Sequence, residues 1–302
     1  MRRNSDGGRI VKPDRIFGLP LSTSSQLPIS TVIDFASNTH ILTMPILEAK
    51  LANAGLLKKI VESIKDLVTD APFDCSETGM SLQAMDSSHV AVVSLKLKVG
   101  FFDKYKCDGT INLGISLSNM SKALKCANNH DTCTLKYQSD DIIDIKFKDT
   151  ELDKTHQVTL KMMNIDSEKL GIPEQKYDVV CEMPAKEFER ICKDMVMFSD
   201  SLNITAEKSE ITFTGNGDIG TSVVTYSPSI NTNDAISLEI NESVNENFSL
   251  KYINHFTKAT PLSDRVRISI CKDALVVEYW IQESGYLKFY LAPRIDEDEE
   301  MD

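Results

Sequence analysis

Leu170-Gly171-Ile172-Pro173-Glu174-Gln175 separates two long segments that repeat one pattern, and it belongs to neither. Its Gly-Ile-Pro core cannot continue a helix. The proline fixes its own φ, carries no N–H and pushes Ile172 toward an extended shape. Leu170 and Ile172 stand two apart, so an extended chain projects both to one side. Two readings are open at this point: a docking strip between two domains, or a tethered linker whose apolar residues pack on their own domain.

Working outward, each flank reads as strand, helix, several strands, helix, strands. The first begins with an extended run, Ile46 to Leu51. Leu57, Ile60, Ile64 and Leu67 then follow the 3-4-3 spacing of a helix. β-rich runs cover Ser81 to Met85, His89 to Leu97 and Lys104 to Leu113. A second helix fits Ser116 to Cys126, with Leu117, Met120 and Leu124 on one face, and strands follow at Thr132 to Tyr137, Ile142 to Phe147 and Gln157 to Met163.

The second flank repeats the order. Val179 to Met183 is extended, and Ala185 to Phe198 is helical with Phe188, Ile191 and Met195 inward. Strands fit Ser201 to Ala206, Glu210 to Thr214, Ser222 to Tyr226 and Ala235 to Ile240. A last helix, Ser249 to Lys258, precedes strands at Val266 to Ile270, Ala274 to Ile281 and Leu287 to Leu291. Leu57-Lys58-Lys59-Ile60 aligns with Phe188-Glu189-Arg190-Ile191, and Leu117, Met120 and Lys125 align with Leu250, Ile253 and Lys258. A repeat of about 130 residues is too long for a solenoid. It predicts two similar α+β domains, at 44–161 and 179–295, joined by a connector at 162–178 and followed by an acidic tail at 296–302.

Residues 1–43 mix Arg2, Arg3, Arg9 and Arg15 with serines and prolines but also contain Asp6, Asp14 and Asp34, which argues against a transit peptide. They read as a disordered extension, or as a stretch preceding a true start at Met44. The net charge of −12 argues against indiscriminate nucleic-acid binding over the whole surface, while leaving room for a local basic patch. Seven cysteines without Cys-x-x-Cys spacing read as reduced thiols of a cytosolic or nuclear protein. No apolar run reaches the ~18 residues of a membrane span.

The helices carry that local charge. Positions seven apart nearly coincide on a helix. Lys58 and Lys65 therefore align opposite Ile60 and Leu67. Lys122 and Lys125 oppose Met120 and Leu124, Lys186, Arg190 and Lys193 form one stripe, and Lys251 aligns with Lys258. One such face is an ordinary solvated surface. Four in corresponding places predict a basic surface that follows phosphates without reading bases. No aromatics interleave with the lysines, so stacking on single strands is not indicated.

Catalytic signatures are absent: no Gly-x-Ser-x-Gly elbow, phosphate-binding Gly-rich loop or His-Glu-x-x-His pair occurs. His40, His89, His130, His156 and His255 show no metal spacing. Asp86, Ser87, Ser88 and His89 contain the residue types of a triad, but neighbours within one turn rarely orient as one. The expectation is a protein without enzymatic activity, cofactor or metal.

Longer stretches carry a resemblance. Ser81-Leu82-Gln83-Ala84-Met85-Asp86-Ser87-Ser88-His89-Val90, Tyr105-Lys106-Cys107-Asp108 and Leu117-Ser118-Asn119-Met120-Ser121-Lys122-Ala123-Leu124-Lys125-Cys126 are the most specific. The connector, Phe256-Thr257-Lys258-Ala259-Thr260-Pro261-Leu262 and Tyr290-Leu291-Ala292-Pro293 add to them. From about Pro45 to Glu299 the chain resembles the proliferating cell nuclear antigen family, the eukaryotic DNA sliding clamps.

The resemblance implies a nuclear, head-to-tail homotrimeric ring, with helices lining a central hole and antiparallel sheets outside. It implies encirclement of double-stranded DNA and a role as processivity factor in replication, repair and translesion synthesis. Lys58, Lys65, Lys122, Lys125, Arg190, Lys193, Lys251 and Lys258 then face DNA, and the family's DNA-binding stretch, Lys106 to Lys125, adds Lys106. Implied partners are replicative and translesion polymerases, the clamp loader, flap endonuclease, ligase and others bearing short hydrophobic motifs. Their groove matches Met85, His89, Val90, Leu170, Ile172, Pro173, Tyr177, Leu275, Tyr290, Ala292 and Pro293. The family's ubiquitin-modified lysine matches Lys208.

The chain departs from the family in three places. Residues 1–43 have no counterpart. The loop Thr214 to Thr221 is shortened beside the family's subunit-edge strands, which bears on ring stability. Leu275 stands where a proline is common. A second reading is a peptide-binding scaffold paralogue that does not load on DNA.

Overall fold

The first helix is set by its cap. Asn53 is extended and its side-chain oxygen accepts from the backbone N–H of Gly55 at 2.7 Å, so α1 (Ala54–Ile64) starts before the first residue of the apolar spacing, Leu57. In this computed structural model the described residues are 46–138, 141–165, 176–227 and 236–294. The expected extension at 1–43, connector residues 166–175 and tail at 296–302 lie outside them.

The first half runs β1 (Leu47–Leu51), α1, β2 (Asp70–Ser76), β3 (Gly79–Met85), β4 (Ala91–Lys98), β5 (Lys104–Cys107), β6 (Ile111–Ser116), α2 (Leu117–Lys125), β7 (Thr132–Tyr137), β8 (Ile142–Asp149) and β9 (Lys154–Lys161). The second runs β10 (Val179–Pro184), α3 (Ala185–Val196), β11 (Ser201–Glu207), β12 (Glu210–Gly217), β13 (Gly220–Tyr226), β14 (Ser237–Ile240), β15 (Val244–Ser249), α4 (Leu250–Phe256), β16 (Arg265–Cys271), β17 (Ala274–Ile281) and β18 (Gly285–Leu291). Strand for strand and helix for helix, the two halves repeat.

Two strands escape the sequence pattern. β2 contains Pro72 and alternates its apolar residues with Asp70 and Asp74, while β15 is largely polar, Val244-Asn245-Glu246-Asn247-Phe248. The run Lys104 to Leu113 is two strands, not one. Gly109, at φ +94, turns the chain between β5 in one sheet and β6 in another. His89 likewise leaves the strand expected from His89 to Leu97 and sits in the turn before β4 with φ 59.

The sheets show what the repeat builds. A nine-stranded sheet, β14-β10-β16-β17-β18-β4-β3-β2-β6, crosses both halves. Its seam is β18 against β4, in register from Leu291–Ala91 to Gly285–Leu97. A five-stranded sheet, β5-β1-β7-β8-β9, belongs to the first half, and a four-stranded one, β13-β12-β11-β15, to the second.

All four helices cover one side of this framework. α2 packs on α1, α1 on α4 and on the 3-10 segment Thr257–Leu262, and α3 on α4. Inward residues Leu57, Ile60, Met120, Leu124, Phe188, Ile191, Ile253 and Phe256 are buried in a single core with the sheets. Phe256 stacks on Phe289 of β18 at 4.6 Å, fixing α4 to the seam strand. No disulfide joins the cysteines of the described residues, and burial pushes the thiols of Cys133 and Cys181 up to about 12. Protonated at neutral pH, these two act as small apolar residues.

Candidate DNA interface and partner groove

With the helices in one layer, their polar faces merge into one surface. Lys122, Lys125, Lys186, Arg190, Lys193, Lys251 and Lys258 are exposed on it, and Lys58 and Lys65 are half-buried. Acidic residues thread the surface and divide the cations into two classes. Lys65 lies 3.3 Å from Glu62 and 3.7 Å from Asp66, Lys258 2.6 Å from Asp66, Lys193 2.5 Å from Glu189 and Arg190 3.7 Å from Asp194. Among the described residues, Lys58, Lys122, Lys125 and Lys251 form no such ion pair.

The acids are themselves tuned by these neighbours. Burial opposes ionisation of Glu62, but the Ser121 hydroxyl at 2.5 Å, with Lys65 and Lys125 nearby, holds its carboxyl below the usual range. Lys258 does the same for Asp66. Both stay charged at neutral pH, so the surface is a basic field with fixed negative points.

Lys106 is not part of this layer. It lies on β5, at the edge of the five-stranded sheet, 2.9 Å from Asp108. Lys59 adds a cation that the stripes leave out: it is exposed beside Lys58, lines a cleft with Lys186 and Pro261, and donates to the Pro261 carbonyl at 3.4 Å.

The other face carries an apolar row across the seam. Strand register places Met85, Val92, Tyr290 and Val276 side by side on β3, β4, β18 and β17. Ala292 and Pro293 extend from β18, and the Ala292 N–H donates to the Val90 carbonyl at 3.1 Å, tying the two rims together. Tyr177 lies close to Tyr290, whose hydroxyl burial pushes up to about 12. Met85, Val90, Tyr177, Tyr290 and Pro293 are half-buried, and His89 and Ala292 are exposed. Leu170, Ile172 and Pro173 lie outside the described residues.

Leu275 does not belong to this row. Alternation along β17 sends it to the core side, where it is fully buried opposite Leu291. Ala274 and Val276 lie on the opposite face of β17 from Leu275, with Ala274 half-buried and Val276 buried beneath its neighbours in the row. Period-two alternation between Tyr290 and its strand partner carries that signal, as it does for Val92.

The Asp86-to-His89 cluster has no catalytic geometry. Asp86 accepts from the backbone N–H groups of Ser88, Val90 and Ala91 at 3.0, 2.8 and 2.7 Å and from the Tyr252 hydroxyl at 2.8 Å. Its carboxylate closes a turn. Among the described residues no group of three or more His, Cys, Asp or Glu is placed to hold a metal. Lys208 sits with φ 60 in the two-residue turn between β11 and β12 and is exposed.

Comparison with known proteins shows the family. The N-terminal domain model of proliferating cell nuclear antigen matches residues 46–169, and the C-terminal domain model matches 171–294. The chain belongs to the proliferating cell nuclear antigen family. It is 72% identical over 261 residues to the proliferating cell nuclear antigen of Caenorhabditis elegans, covering 84% of this chain and 99% of that protein. As a member of that family it is a DNA sliding clamp and processivity factor, a homotrimer that encircles DNA and binds polymerases and other replication and repair proteins. The reading as a scaffold that does not load on DNA is not favoured.

Proposed function

We propose that the clamp works through three surfaces of this chain. The first is the helix layer. Lys58, Lys122, Lys125 and Lys251 supply its free cations, while Lys65, Arg190, Lys193 and Lys258 are held by neighbouring acids and exchange those pairs for phosphates. Weak, sequence-independent contact suffices, because ring closure rather than affinity keeps the clamp on DNA. The carrying observation is that four helices from two repeats form one continuous layer with their basic faces outward.

The second surface is the groove formed by Met85, His89, Val90, Val92, Tyr177, Tyr290, Ala292 and Pro293. It takes a short hydrophobic peptide, with connector residues Leu170, Ile172 and Pro173 as its outer wall. Residues 44–161 and 179–295 are the two clamp domains on either side of that connector. Lys208, at an exposed hairpin apex, is the modification site. The protein acts in the nucleus and without catalysis of its own.

The third surface is the subunit edge. In the chain, a five-stranded unit ending in β18 joins a four-stranded unit ending in β4. The repeat makes β9 the counterpart of β18 and β13 the counterpart of β4, and among the described residues both are unpaired edges. Pairing β9 of one subunit with β13 of the next rebuilds the same nine-stranded sheet and removes both edges. Loading by a clamp loader onto nicked circular DNA, followed by linearisation, tests the whole reading. A clamp retained on circles and lost from linear DNA supports it; equal retention on both would overturn it.

A further inference from the structure

Asp86 and Tyr252 are 166 residues apart, yet their side chains meet at 2.8 Å. Asp86 directly follows β3 of the N-terminal domain, and Tyr252 lies on α4 of the C-terminal domain. The partner groove is split in the same way: Met85, His89, Val90 and Val92 come from one domain, and Tyr177, Tyr290, Ala292 and Pro293 from the other. We propose that the Tyr252–Asp86 hydrogen bond is a positioning latch that sets the His89–Val90 rim of the groove against the rim at Ala292–Pro293.

The bonds around Asp86 divide into two kinds. Those from Ser88, Val90 and Ala91 are local and hold the turn in shape, including His89 in its left-handed conformation at φ 59. A non-glycine residue there persists only when its surroundings impose it. The bond from Tyr252 is the one that comes from the other domain. It fixes where the finished turn stands rather than how it folds. Its donor is rigidly placed: Ile253 and Phe256 of α4 are fully buried, and Phe256 stacks on Phe289, next to Tyr290 in β18. The helix that aims Tyr252 at one rim is thus packed on the strand that carries the other. Neither Tyr252 nor Asp86 lines the apolar row, so both act through His89 and Val90.

This inference rests on the groove reading above, and its test separates the two. The probe is a fluorescein-labelled synthetic peptide with Ile, Phe and Phe at i, i+3 and i+4, one turn of apolar anchors. Its affinity is read by anisotropy on the intact trimer. Tyr252→Phe, which removes only the hydroxyl, is expected to weaken binding about fivefold, within the worth of one hydrogen bond to a charged group. Asp86→Asn is expected to weaken it as well, and the double variant no more than the worse single one, because both cut the same link. Ser63→Ala is the control. It removes a different interdomain contact, from the Ser63 hydroxyl to the Lys258 carbonyl at 3.2 Å, and is expected to leave peptide affinity unchanged. Unchanged affinity in Tyr252→Phe, with binding abolished by Tyr290→Ala, would overturn the latch and leave the groove standing. Unchanged affinity in Tyr290→Ala would overturn the groove, and the latch with it. Additive losses in the double variant, or an equal loss in Ser63→Ala, would reduce the contact to general domain stability and also overturn it.

Discussion

The Lys258 ammonium lies 2.6 Å from a carboxylate oxygen of Asp66, so the helix layers of the two repeats are joined by an ion pair on the surface proposed to meet DNA. Both partners are about two-fifths exposed, and such pairs contribute at most about 1 kcal/mol to stability. Its larger effect is on the field. Asp66 cancels Lys258 and draws on Lys65 as well. Replacing Asp66 with Asn is therefore expected to strengthen duplex binding at low salt and to steepen the dependence of log K on log salt by about one. Anisotropy titrations of a labelled duplex across a salt series check this, and a slope equal to wild type would show that Asp66 does not restrain the lining.

The same pairing ranks the lysines. Lys125→Ala removes a cation without an ion pair among the described residues, while Lys258→Ala also frees Asp66 to repel phosphate or to pair wholly with Lys65. Lys125→Ala is expected to weaken binding uniformly across sequences and to lower the salt slope by about one. Lys258→Ala is expected to lower the slope by less. Equal slopes for the two variants, measured side by side, would show that ion pairs at this surface dissolve before DNA arrives.

Leu275 and Val276 are neighbours on opposite faces of β17. Leu275→Ala empties a fully buried site and is expected to cost about 2–4 kcal/mol, read by denaturant unfolding. Val276 is the residue of that pair whose change is expected to alter peptide affinity. A Leu275→Ala variant of wild-type stability would contradict the placement of β17.

These cases mark where the sequence was legible. The helices declared themselves because Leu57, Ile60 and Ile64, or Phe188, Ile191 and Met195, repeat with helical spacing. The duplication followed from aligning them. β2 and β15 did not, because Pro72 and the Asn245-Glu246-Asn247 run contradict strand propensity and only sheet neighbours override it. Charge stripes were visible, but the pair between Asp66 and Lys258 was not. Asp66 reaches Lys258 through a fold that joins residues 192 apart. Leu275 was assigned by family analogy alone, and strand alternation corrects it. The Tyr252–Asp86 contact joins residues that no local pattern relates.

Asp86 also gives a pH signature. Burial raises its carboxyl, but the Ala91 N–H, the Tyr252 hydroxyl and the Ser88 and Val90 N–H groups together hold it below the ordinary value. A depressed carboxylate stabilises the fold above its unfolded pKa of about 4, and that contribution is lost as pH falls through the folded value. The gap in melting temperature between wild type and Asp86→Asn is therefore expected to be full near pH 6 and to narrow below about pH 4. A gap constant down to about pH 3 would mean that the hydrogen bonds around Asp86 do not depend on its charge.

The register of the subunit edge can be derived from the seam. Strand pairing makes Leu160 the counterpart of Leu291 and Val224 the counterpart of Leu95. In the seam, Leu287 faces Leu95 and Leu291 faces Ala91. Carried across the repeat, the proposed edge pairing sets His156 opposite Val224 of the next subunit, and Leu160 opposite Gly220. The inward residues His156, Val158, Leu160, Ser222, Val224 and Tyr226 are half-exposed along these edges, as befits faces awaiting cover. Directly opposed positions in an antiparallel pair place Cα atoms about 4.5–5.5 Å apart, within reach of a disulfide. A His156→Cys, Val224→Cys double variant is therefore expected to oxidise to covalent dimers and closed trimers, resolved by non-reducing electrophoresis. The single variants, mixed with each other, are expected to give dimers only. Val158→Asp is expected to release monomers in sedimentation, because it buries a charge in the rebuilt sheet. Dimers that form only from residues shifted by one position along β13 would overturn this register, and a Val158→Asp trimer would overturn the edge pairing.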